Sequence, residues 1–301
     1  MNPAEPASEP RAPEAWRAFL VFGIAMLATL VLGAVVGLVL LVTHSDLIRV
    51  VGRDPEAFQA RFTELYARGP TLAITIAFTE ILLAGVALFA AEWSGPSITE
   101  RLRLGPSALP AWAYLVAPVG MLGASDAASA IVRLVGLPSV SLPMFHDASH
   151  GQPATFAVLL IAGTLGAGFA EEALFRGYIE SVLVARWSKR AAIVATAACF
   201  GLMHLDIAHT PIAFMLGLYL GVVAERAGSI RVTIFAHAIN NAVSFLLDRF
   251  AIDDVAAANA AAPTLSEKMV FLAFAGVGTL VALGSLLLLR PREALPAAAT
   301  T

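Results

Sequence analysis

The residues with the types and spacing to do chemistry fall in three short stretches of this 301-residue chain. Gly166-Ala-Gly-Phe-Ala-Glu171-Glu172-Ala-Leu-Phe-Arg176 sets two carboxylates and a guanidinium in otherwise apolar sequence. Phe200-Gly-Leu-Met-His204 and His237-Ala-Ile-Asn-Asn241 follow, each again inside an apolar run. Ionised groups well inside apolar helices are costly, so they must face a shared interior and be paired or hydrated. Glu172 and Arg176 stand at i,i+4 with the acid first, the favoured order for an ion pair on one helix face. The plainest reading of that pair is structural. Glu171 lies about 100° around the same helix, and Phe175 rather than a base stands at its own i+4. It is the carboxylate left free for chemistry.

Glu171, His204, His237 and Asn241 therefore comprise a base, two imidazoles and an amide donor on three helices. Amide or ester hydrolysis uses those groups: a carboxylate takes a proton from water, and neutral imidazole or a carboxamide N–H steadies the oxyanion. Taken singly, a histidine or asparagine in such a helix is more often a hydrogen bond between helices. Neither the Gly-x-Ser-x-Gly elbow nor the His-Glu-x-x-His zinc signature is present. One glutamate and two histidines are also a ligand set that zinc accepts, and spacing leaves Glu171, His204 and His237 open to that alternative. His209, with Asp206 beside it, reads as part of an outer rim. His146 and His150 read as solvated loop side chains.

The elements that position these groups follow from composition. Hydrophobic residues make up 58% of the chain and charged ones 14%, where a soluble domain carries about 25% charge; mean hydropathy is +0.80. Such a chain lacks the polar surface to cover itself in water, and the expectation is an all-α polytopic transmembrane bundle in the lipid bilayer. Apolar runs at 19–42, 72–91, 110–135, 154–185, 191–205, 212–224, 232–247 and 269–289 give about eight spans of some 20 residues. The bias of Lys and Arg puts both termini in the cytoplasm. Residues 1–15 and 291–301 read as disordered tails, 16–290 as one membrane domain with its catalytic core at 153–249, and 43–70, 92–109, 136–152 and 248–268 as connections. Gly163, Gly166, Gly168, Gly217 and Gly221 make narrow helix faces for close packing. Trp16, Trp93, Trp112 and Trp187 fall near span ends, as interfacial anchors do. The formal charge of −3, with dispersed bases, excludes a nucleic-acid partner. The single cysteine, Cys199, excludes an internal disulfide and reads as a small core side chain.

The order Glu171-Glu172-x-x-x-Arg176, Phe200-x-x-x-His204, His237-x-x-x-Asn241 resembles the motifs of the CAAX protease and bacteriocin-processing family, which includes the type II CAAX prenyl endopeptidases and is also called the Abi family. Each motif is loose alone; three in the right order, each in an apolar run, are specific together. The likeness covers roughly 153–247, with no motif residue departing from the pattern. The resemblance implies an intramembrane endopeptidase in which Glu171 activates water, His204 assists, and His237 with Asn241 stabilises the oxyanion. Glu172, Arg176 and Phe200 would support the site. It implies a membrane-associated protein or peptide substrate, prenylated in the eukaryotic type, and, as in bacterial members, a place in the inner (plasma) membrane. No cofactor is expected, with zinc as the alternative. Two other classes compete: a non-enzymatic immunity or assembly protein using the same polar network as glue, and a carrier whose proton route would run through Glu80, Asp126 and Glu171.

Overall fold

Backbone N–H and C=O groups have no water to bond with in the hydrocarbon layer, so an apolar chain satisfies them within helices. Every regular element among the described residues is a helix. The computed structural model describes residues 14–68, 70–94, 97–250 and 263–290. Most of the expected N-terminal tail, the C-terminal tail, Gly69, the Gly95-Pro96 turn and 251–262 of the last connection lie outside the described residues.

In chain order the helices are α1 (Trp16–Thr43), α2 (Ser45–Val50), α3 (Pro55–Arg68), α4 (Thr71–Ser94), α5 (Ile98–Arg101), α6 (Ala113–Val135) and α7 (Ser141–Ser149). Then come α8 (Pro153–Val184), α9 (Lys189–Met203), α10 (His209–Ala227), α11 (Arg231–Phe250) and α12 (Leu265–Leu288). Six of them, α1, α4, α6, α8, α10 and α12, are long and apolar enough to cross a membrane. The protein is an integral membrane protein. α9 has 15 residues, about 22 Å at 1.5 Å each. α11 has 20 but carries His237, Asn240, Asn241, Asp248 and Arg249 along its length.

Small residues set how closely the helices approach. A Cβ built on Gly123 of α6 would come within 2.7 Å of the Gly278 carbonyl of α12. One on Gly217 of α10 would meet Ala197 of α9 at 2.9 Å, and one on Gly168 of α8 would meet the Ile234 carbonyl of α11 at 3.1 Å. Gly168 and Gly217 thus meet the packing role expected of them, against the helices that carry His237 and His204.

The connections at the two ends of the bundle are ordered by specific bonds. At one end Asp206, 8% exposed, accepts from the backbone N–H groups of Val140 and Ser141 and the Ser139 hydroxyl through Oδ2. Through Oδ1 it accepts from Ala208 and His209 N–H. Burial alone would raise this carboxyl; the donors from Ser141, His209, Val140 and Ser139 outweigh it and hold it down at about 2. One side chain so ties the starts of α7 and α10 together. At the other end Arg103 pairs with Glu225 at 2.7 Å and lies 3.6 Å from Glu180. There the 102–109 segment bonds to the α10–α11 turn through Ile230 N–H to the Arg103 carbonyl and Ala108 N–H to the Ala227 carbonyl. Trp16, Trp93, Trp112 and Trp187 all sit at this second end and are exposed, where interfacial anchors belong.

Two expected connections are largely helical. The 43–70 segment folds as α2 and α3, and much of 136–152 as α7. Both begin with features that read as loop punctuation in the sequence. Pro55 opens α3, and Pro143 lies in the first turn of α7, where a missing N–H costs the helix nothing.

Candidate active site

α8 is not a uniform α-helix. Ala162–Gly166 and Ala173–Ile179 are π-helical and flank the α-helical turn Ala167–Glu172. A π turn inserts an extra residue and rotates the face that follows, and such turns concentrate at functional sites. The two acids are presented between these bulges.

Glu172 and Arg176 are both fully buried. Arg176 Nη1 donates to Glu172 Oε1 at 2.7 Å, and His237 Nδ1 lies 3.0 Å from the same oxygen. Arg176 also donates from Nη2 to the Gly217 carbonyl at 3.3 Å, and its guanidinium stands 4.4 Å from the Phe200 ring centroid. Phe200 is the hub of the aromatic packing, with edge contacts to His204 at 5.1 Å and His237 at 5.9 Å between ring centroids. The expected ion pair is present, and it also holds His237.

Glu171 is placed differently. Its side chain is 15% exposed, and its Oε2 lies 3.8 Å from His237 Nε2. That oxygen has no hydrogen-bond partner. With Nδ1 of His237 turned to Glu172, Nε2 is the nitrogen that faces Glu171. Asn241 donates from Nδ2 to the Gly163 carbonyl at 2.8 Å, inside the first π turn, and its Oδ1 accepts from Asn240. One amide hydrogen is therefore engaged in holding α8, and the second is left over. His204 closes α9, its Nδ1 bonded to the Phe200 carbonyl at 2.9 Å. A carbonyl only accepts, so Nδ1 carries the proton and Nε2 keeps its lone pair.

Several further polar residues lie near these groups. His209, expected on an outer rim, also contacts the site: its ring centroid lies 4.5 Å from that of His204, because Asp206 folds the start of α10 back against the end of α9. Glu80 of α4 is buried and packs its methylenes on Gly166, five residues before Glu171 on α8. It lines an apolar groove of about 420 Å³ between α4 and α8 with Ile81, Ile161, Leu165 and Phe169. Its carboxylate inside an apolar run was the signal; which helix it would meet was not readable. Asn240 is buried with an unpartnered Oδ1. Asp126 is exposed on α6, away from the interior route that the carrier reading needs.

Among the described residues, Glu171, His204 and His237 do not bring ligand atoms within 4.8 Å of one another; the one set that does lies elsewhere. Zinc bonds of about 2.0–2.2 Å require ligand atoms closer than that, so these three side chains as placed do not fit a zinc ion.

This arrangement lies in one continuous part of the chain. Residues 153–243 match the family described as Rce1-like, type II CAAX prenyl endopeptidase. The matched segment runs from the start of α8 to just past Asn241 and contains all three motifs. No curated protein and no solved structure gives a match. The match and the apolar helices point to a CAAX-type intramembrane protease.

Proposed function

We propose that the chain is an intramembrane endopeptidase that cleaves a membrane-associated protein or peptide with a water activated by Glu171. The observation that carries this reading is the contrast between two adjacent acids. Each acid has one buried oxygen without a hydrogen-bond partner, but Glu172 holds Arg176 and His237 on its other oxygen, whereas the Oε2 of Glu171 faces only His237 Nε2, at 3.8 Å. A carboxylate that no guanidinium holds, in a low-dielectric interior, is suited to take a proton.

In the proposed reaction Glu171 takes a proton from water as the oxygen adds to the scissile carbonyl carbon. The carbonyl oxygen becomes an oxyanion facing His237 and the second N–H of Asn241. Glu171 then returns the proton to the leaving amine as the C–N bond breaks. Because His237 Nδ1 donates to Glu172, the oxyanion role requires a proton on Nε2 as well. His204 assists by orienting the water. Glu172, Arg176 and Phe200 hold the histidines in place. No step in this scheme passes through a metal. The groove beside Glu80 is apolar and reaches α8 near the acids, which suits a lipid-modified substrate segment. We read all eight long helices as spans, with both termini cytoplasmic and the tryptophan-bearing end inside, in the plasma membrane of a bacterium.

Purified protein in detergent, assayed for release of a C-terminal fragment from lipid-modified peptides, tests the proposal. Glu171→Gln keeps the shape of the side chain and loses the base, so turnover should fall by at least about 10²–10³, the cost of one lost oxyanion donor, at unchanged thermal stability. Turnover retained in Glu171→Gln overturns the general-base role. Activity that follows bound zinc would favour the metal-dependent alternative, and a wild-type chain inert on all substrates would favour the immunity or assembly reading.

A further inference from the structure

α7 and α11 meet at the end of the bundle where Asp206 pins α7. His146 and His150 stand at i,i+4 on one face of α7 and its C-cap, with ring centroids 4.2 Å apart. Asp248, in the last turn of α11, reaches into the same place. These are the residues that the sequence reads as loop side chains; folding of 141–149 into a helix brings them onto one face. His146 Nδ1 and Asp248 Oδ1 are 3.0 Å apart. One ring nitrogen of each histidine and one oxygen of Asp248 all lie within 4.8 Å of one another, the only such set among the described residues.

An ion pair between His146 and Asp248 does not account for the whole cluster. His150 Nδ1 lies 3.0 Å from the His146 carbonyl and must donate to it, which leaves Nε2 with a lone pair. That Nε2 is closed off from solvent and has no partner, and neither has the second oxygen of Asp248. A backbone carbonyl fixing the tautomer of a histidine so that its other nitrogen is free is the arrangement that supports metal-ligating imidazoles. Arg249, next in sequence, does not fill the gap: its guanidinium donates to the carbonyls of Ser149 and Gly151 and lies over the Phe156 ring. Those bonds fix the end of α7 against α11.

We propose that His146, His150 and Asp248 form a binding site for a divalent late first-row metal ion, zinc being the natural occupant. Two imidazoles and one carboxylate suit zinc and its neighbours, while calcium and magnesium favour all-oxygen shells. Bonds of about 2.0–2.2 Å place tetrahedral ligands about 3.3–3.6 Å apart, so small side-chain rotations complete the set around the 3.0 Å pair. Three protein ligands leave one position for water. Asp248 lies eleven residues beyond His237 on α11, about 16 Å along the axis. The ion would clamp α7 to the helix that carries His237 and Asn241, without touching the proposed reacting groups. The site stands independently of the peptidase reading.

The test uses the full chain in detergent, free of any histidine tag and stripped with chelator, then titrated with Zn²⁺. Metal content, calorimetry and thermal unfolding are read on the same sample. One zinc per chain should bind, with a rise in unfolding temperature. His150→Gln and Asp248→Asn should each weaken binding at least tenfold, since even an outer partner of a ligand is worth about 10–100-fold. Glu171→Gln should bind as the wild type does. Zinc that survives both ligand substitutions but is lost in Glu171→Gln would place the metal among the intramembrane acids and overturn the proposal, as would failure of the wild type to bind zinc at micromolar concentration. Should either variant not fold, X-ray absorption of the zinc-loaded wild type decides: two imidazoles and oxygen in the shell support the site, and a shell lacking imidazole refutes it.

Discussion

Replacing Arg176 by alanine should cost the protein much of its stability before any question of activity arises. The guanidinium is fully buried, pairs with Glu172 at 2.7 Å, donates to the Gly217 carbonyl and covers the Phe200 ring at 4.4 Å. Truncation leaves Glu172 ionised in the interior with His237 as its remaining donor, a class of loss worth about 3–5 kcal/mol. The lost bond to Gly217 adds about 1 kcal/mol, and the cation–π contact about 1–2 kcal/mol when desolvated. These parts overlap because one group makes them all, so about 4–5 kcal/mol is the expected total. Thermal unfolding in detergent and the monodisperse yield read it directly. The double variant Glu172→Gln, Arg176→Met removes both charges and should recover at least half of the loss, because the cost lies in the orphaned carboxylate. Arg176→Ala protein with wild-type stability and no turnover would refute the structural assignment and move Arg176 into the catalytic set. A double variant no better than the single one would refute the electrostatic origin of the loss.

Three further outcomes follow from the same geometry. His237→Ala should fold, with some loss because Glu172 keeps only Arg176 as a donor, and lose turnover by about 10²–10³; unchanged turnover in the peptide assay would remove it from the oxyanion site. Asp206→Asn should lower the unfolding temperature at neutral pH. The folded carboxyl is depressed to about 2 from an ordinary value of about 3.9, so its contribution of about 2 kcal/mol is present above pH 4 and is lost as pH falls toward 2. The gap between variant and wild type should therefore close over that window in an acid-unfolding series, and a gap independent of pH would count against the charge. Gly217→Val should destabilise the α9–α10 pair by about 1–3 kcal/mol, the usual cost of overpacking, since even a Cβ there would lie 2.9 Å from Ala197. A neutral effect on thermal unfolding would show that the helices can part without penalty.

The sequence by itself determined that the chain is helical and membrane-embedded, because a long apolar run leaves its backbone no alternative. It also determined which polar residues must share an interior, since the cost of an isolated charge in lipid admits few arrangements. The i,i+4 spacing of Glu172 and Arg176 read directly as an ion pair, because both ends of that bond lie on one local helix. Glu171 stood out for the same reason, having no base on its own turn. What lies between helices was decided only in the tertiary structure. That His237 reaches Glu172 as well as Glu171, that Asn241 holds a π turn of α8, and that Glu80 packs on Gly166 depend on crossing geometry, which no single helix carries. The π turns themselves break the 3.6-residue period on which face assignments rest. His146 and His150 show the limit most plainly. Their run, broken by Pro143, has no local signal for a helix, and it becomes one, seated on the bundle, because Asp206, Arg249 and Asp248 arrive from elsewhere in the chain to bind its two ends and its face.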